Sequence, residues 1–163
     1  MSDINIYDIS VGMYIKGVSV LIGILKKAAL HPNADTLPSA SLIDDMKPLT
    51  FQVQSVSNTV TISLKKLLQT DIKRWEDDET TMGQIMARAE KTLALLQEID
   101  PKALEGRETT KIKMPGGLIS GKQFVLGFAL PNLFFHLQTA YAILRMKGVP
   151  LGKDDYLDPW SGI

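Results

Sequence analysis

Two polar pairs at helical spacing are the residues of this chain best suited to chemistry. Asn132 and His136 stand four apart in one apolar stretch, and Gln54 and Asn58 stand four apart in another. That separation puts both members of a pair on one helix face, a turn apart. An imidazole titrates near neutral pH and serves as acid or base. The side-chain amides donate and accept hydrogen bonds to a carbonyl or hydroxyl. Phe128, Phe134 and Phe135 neighbour His136 and supply apolar walls. These residues predict a central pocket that binds a small organic molecule without a metal. His136 is its acid–base group, and Gln54, Asn58, Asn132, Phe128 and Phe135 hold the ligand. Whether the pocket only binds or also transforms its ligand is left open by the residues.

Two other readings use the same side chains. A metal-dependent enzyme would draw on His31 and His136, the two histidines present, with Asp35, Asp44 or Asp45 completing a zinc or nickel site. Asparagine is a neutral oxygen donor and a poor substitute for imidazole on those ions. A non-catalytic bundle, paired as a homodimer, would use His136 only to bridge helices. The absence of cysteine excludes disulfides, cysteine-ligated zinc and a thiolate nucleophile. A serine hydrolase lacks its G-x-S-x-G elbow.

The elements that must position these residues are helices. In residues 120–147, Phe124, Phe128, Pro131, Phe135, Thr139, Ala142 and Met146 recur at steps of three and four. Ser120 and Gln123 have capping-box spacing, and Gly148 followed by Pro150 supplies the stop. Pro131 lacks an N–H and predicts a kink just before Asn132. Residues 48–69 form a second helix on the stripe Leu49, Val53, Val56, Val60, Leu64 and Leu67, with Pro48 at its start. Residues 4–30 form the first helix on Met13, Gly17, Val20, Ile24 and Ala28. Its glycines permit close approach by a neighbouring helix, here or in a second copy. Pro32 places His31 at the frayed end of that helix. Residues 80–99 form another helix on Met82, Ile85, Ala89, Leu93, Leu96 and Ile99, with Arg88 facing outward. Before it, Asp77, Asp78 and Glu79 suit a helix N-terminus, and Trp75 is expected to fold back as a lid on the bundle end.

Residues 31–47 are long for a helix–helix turn and read as a crossover with one short helical turn, which would let the second helix run parallel to the first. In 107–120 the period changes to two around Pro115-Gly116-Gly117, a short β-hairpin before the last helix. The tail with Tyr156 and Trp160 is expected to drape over the bundle or a partner.

At 163 residues the chain is one domain, 1–163, able to bury a core. Hydrophobic residues are 45% and charged ones 22%, an ordinary globular balance. Lys plus Arg and Asp plus Glu are 18 each, which argues against nucleic acid as a partner. The acidic start lacks a signal peptide's basic residues, and the apolar run at 18–25 is too short for a bilayer. The expectation is a cytoplasmic protein with no membrane partner.

Three blocks in order, DDMKPLTFQVQ (44–54), DDETTMGQIMARAEKTLALL (77–96) and PNLFFHLQTAYAILRMKGVPLGK (131–153), resemble an uncharacterised branch of the DinB/YfiT-like superfamily. The resemblance implies an all-α four-helix bundle with the hairpin inserted before the last helix. In metal-binding members of that superfamily three histidines hold a divalent ion, two of them as HxxxH on the last helix. Matched residue by residue, that pair falls on Asn132 and His136. The branch's usual acid on the second helix falls on Asn58, and a frequent histidine at the end of the first helix falls on His31. The implied triad is therefore not intact.

Overall fold

The computed structural model describes residues 4–161. A π-turn, Asp8–Gly12, leads into α1, Met13–Ala29. A 3-10 segment, Ala34–Ser39, precedes α2, Leu49–Leu68. An irregular connection leads to α3, Met82–Gln97. Two 3-10 segments, Pro101–Leu104 and Arg107–Thr109, precede the strands β1, Lys111–Met114, and β2, Gly117–Ser120. The last long helix has three parts: α4, Gly121–Phe124; a π-turn, Val125–Ala129; and α5, Leu130–Met146. A short helix, α6, Lys153–Ser161, ends the described chain.

The long helices form the expected four-helix bundle. α1 packs on α3, α5 and α6, while α2 packs on α3 and α5, so α1 and α2 lie diagonally opposite. Their directions follow from side-chain contacts. Tyr14 near the start of α1 bonds Ser63 near the end of α2, at 2.6 Å. At the other end, Leu49 at the start of α2 bonds the backbone of Ala40, which closes the 3-10 segment of the connection after α1. The two helices are therefore antiparallel across the diagonal, and the expected parallel arrangement is corrected. The long first connection serves to cross the diagonal.

A second long connection does what the first was expected to do. Residues 69–81 run back along α2: Asp71 pairs with Lys65, Asp77 with Asn58 and Glu79 with Gln54. This strap lets α3 start beside the start of α2. About 12 extended residues at ~3.3 Å each outreach a 20-residue helix of ~30 Å. The order is thus up, down, down, up.

Leu49, Val53, Val56, Val60, Leu64 and Leu67 of α2 are all buried, as the spacing predicts. α1 is buried on more than its predicted stripe, because Tyr14, Val18, Leu21 and Leu25 are also inside. By length and apolarity the helix from Asp8 to Ala29 would suffice to cross a membrane. In the bundle 56% of that helix's most apolar window is buried, and it packs on α3, α5 and α6. Gly17 permits one of those approaches: a Cβ there would lie 2.8 Å from Leu133 and 3.3 Å from Trp160. That part of α1 is covered by the chain's own α5 and α6.

The hairpin pairs Lys111 with Ser120 through Met114 with Gly117, and Ile112 anchors it in the core. Gly117 takes φ 126°, which a side chain would oppose. Ser120 and Gln123 form the predicted capping box. The disturbance expected at Pro131 takes the form of the preceding π-turn. There the N–H of Leu130 reaches back to Val125. The tail is α6, held to α1 by Lys27–Asp155 at 2.6 Å and by Lys16 donating to the Trp160 carbonyl.

Candidate functional site

α2 carries its polar residues on two sides, and each side faces a different neighbour. On the side toward α5, Gln52 is buried and its Oε1 lies 2.8 Å from His136 Nδ1. The Gln52 amide is oriented by its other contact, Nε2 donating to the Lys47 carbonyl at 2.9 Å. Turning the amide over would set two carbonyl oxygens against each other there. Oε1 therefore faces the imidazole, and because it can only accept, Nδ1 carries the proton. In the neutral ring Nε2 then keeps its lone pair, and it has no partner among the described residues. His136 is half-buried, and this burial lowers its pKa below the ordinary value and favours the neutral ring.

One turn earlier, Asn132 Nδ2 donates to Thr59 Oγ1 at 2.7 Å, and Thr59 in turn donates to the Ser55 carbonyl. The Asn132 Oδ1 is left without a partner among the described residues. Two acceptors, Asn132 Oδ1 and His136 Nε2, thus stand one turn apart on α5. Phe135 meets the imidazole edge-on at 5.1 Å between ring centres, and Phe51 of α2 does so at 5.9 Å. Both phenylalanines are partly open to solvent.

Gln54 and Asn58 lie on the other side of α2 and do not share a hollow with His136. Gln54 donates to Glu79 at 2.9 Å. Asn58 donates to Asp77 and accepts from Arg88 at 2.9 Å. Arg88 is only 3% exposed, the reverse of its predicted outward position. It holds the strap by donating to Glu79, to Asp77 and to the Glu76 carbonyl. Burial raises the Glu79 carboxyl, but hydrogen bonds from Arg88 and Gln54 outweigh it and hold it below the usual range. Asp77 is likewise lowered, against its burial, by Arg74, Asn58 and Arg88. These acids were expected to serve the helix dipole, but α3 is capped instead by Thr81 and Gln84. Trp75 lies on Lys91, 4.1 Å from its ammonium, along α3 and not across the bundle end.

Phe128 is also displaced from its expected role, since it packs on Phe124 two turns before His136. Phe134 turns toward Trp160 of α6. His136 and Asn132 lie on the face where α5 meets α2. Three cavities occur elsewhere on the molecule, and His136 lines none of them.

The implied metal does not fit this donor set. His31 sits past the end of α1 against Gly148, accepting at Nδ1 from the Asn33 N–H. Gly148 is 12 positions beyond His136, about 18 Å along a helix. The two imidazoles do not meet. Among the described residues no three His, Asp or Glu side chains gather as metal ligands. The groups around His136 are amides, a hydroxyl and aromatic rings.

The family of the domain of unknown function DUF1993 matches residues 6–157. The chain belongs to it. A similar solved structure is that of a DinB family member protein from Shewanella denitrificans, 32% identical, with 93% of this chain and 90% of that chain covered and a TM-score of 0.85. Among proteins of curated function none matches. The DUF1993 chain is thus a DinB-like helical domain, and the up-down-down-up bundle described above is its fold.

Sequence reasoning missed Gln52, Thr59 and Phe51 as neighbours of the site. One signal was available. Gln52, Thr59 and their neighbours fall on the side of α2 opposite Gln54 and Asn58, and only one of those sides can face α5.

Proposed function

We propose that the DUF1993 face between α2 and α5 binds a small, metal-free organic ligand through His136. The observation that carries this reading is the contact of His136 Nδ1 with the oriented Gln52 amide, which leaves Nε2 unpaired, with its lone pair free, in a half-buried ring. Asn132 Oδ1 adds a second acceptor, and Phe51 and Phe135 add apolar contact. This combination suits a ligand with an apolar ring and a hydrogen-bond-donating group, such as a phenol. His136 Nε2 would accept the ligand's hydrogen bond, and in a reactive ligand it would take that proton as a general base. The second side of α2, with Gln54 and Asn58, takes no part in binding and holds the strap.

A fragment screen by saturation-transfer NMR tests this. Phenols should bind wild type, and binding should be lost in His136→Ala and weakened in Phe135→Ala. Hits that persist unchanged in His136→Ala, or no phenol binding to wild type, would remove the proposal.

A further inference from the structure

At the end of the bundle away from Gln52, a cavity of about 730 Å³ opens between the start of the first helix, the loop after α3 and the α4 end of the last helix. Its size is that of a small-molecule site. Its walls are mainly apolar, including Ile9, Leu104 and Leu126, and its rim carries Glu105, Glu108 and Lys122. None of these three charged side chains has a hydrogen bond or ion pair among the described residues, so none is spent on the fold. The rim therefore keeps an excess of one negative charge.

Both π-turns among the described residues border this cavity and touch each other. Asp8–Gly12 contributes Ile9, and Val125–Ala129 contributes Leu126. A π-turn sacrifices the ordinary helical ladder and recurs at functional sites. Here each turn re-aims an apolar side chain at the same hollow.

We propose that this cavity is a second ligand site, independent of His136, for an amphipathic amine. The apolar chain lies against Ile9, Leu104 and Leu126, and the ammonium meets Glu105 and Glu108. Because these acids are exposed, the charge sets a preference and the apolar wall supplies most of the affinity.

Calorimetry and methyl NMR with n-octylamine, octanoate and 1-octanol test the assignment. Octylamine should shift the methyls of Ile9, Leu104 and Leu126 and bind about fivefold tighter than octanoate, the range expected of exposed charge pairs. The double variant Glu105→Gln/Glu108→Gln leaves Lys122 as the rim's remaining charge, so it should reverse that preference toward octanoate and leave octanol binding unchanged. Leu126→Trp should fill the cavity and abolish binding of all three. The site is refuted if octylamine leaves those methyls unmoved, if octanoate binds as tightly, or if the double variant keeps the preference. His136→Ala should change none of these results, which separates this site from the phenol face.

Discussion

His136 owes its character to two neighbours, one polar and one simply excluding water. Gln52 sets which nitrogen holds the proton, and partial burial makes the charged ring costly. A histidine whose folded pKa is depressed takes up its proton first in the unfolded chain. Its contribution to stability is thus present above about pH 6.5, the unfolded value, and is lost as pH falls through the lower folded value. Urea melts at pH 7.5 and pH 5.5 should show wild type weakening on acidification, and His136→Gln should show a smaller drop. A second contrast concerns glycine. Gly17→Ala forces a Cβ onto Leu133 and should cost about 1–3 kcal/mol by overpacking. Gly23→Ala meets nothing within 4 Å and should stabilise by up to about 1 kcal/mol through helix propensity. Thermal melts of the two variants should therefore move in opposite directions. The helical spacing of Asn132 and His136 was legible in the sequence, and so was the importance of His136. Its partner Gln52 was not, because spacing within one helix does not say which face of another helix will meet it.

Arg88 is the principal anchor of the strap. Residues 69–81 contain no regular structure and are tied down by side chains, with one guanidinium serving three of their groups. Arg88→Met would leave Glu79 without its cation and Asp77 with Arg74 alone, and should cost about 3 kcal/mol, as breaking a buried pair does. It should also make trypsin cut early at Lys73 or Arg74, with α1 and α5 still protected; an unchanged cleavage pattern would show that the strap is held by other means. Because both carboxyls are held low, the strap's hold should persist above about pH 4 and fail as pH falls below it. The stripes, the capping box at Ser120 and the hairpin were all readable from periodicity and turn chemistry. Arg88 was not, since a charged residue between Glu90, Lys91 and a helical stripe looks like solvated surface. Only the return of the strap along α2 brings acids over it and makes its burial tolerable.

Across the whole molecule, the placement of two long connections decides which polar residues can meet. Diagonal α1 and α2, with a strap returning α3 to the start of α2, put α3 on one side of α2 and α5 on the other. Gln54 and Asn58 are thereby committed to the strap and α3, and Gln52 and Thr59 to α5. Bundle architecture was legible from three sequence blocks and four apolar stripes. Helix direction was not, because connection length limits which topologies are possible without selecting one. Which nitrogen of His136 carries the proton decides whether the α2–α5 face has a base to offer. Long-range proton–nitrogen NMR on uniformly labelled protein at pH 7.5 reads this directly. The predicted result is a protonated Nδ1 and a bare Nε2 that is lost as a signal in His136→Ala; a protonated Nε2, or two tautomers in fast exchange, would contradict it.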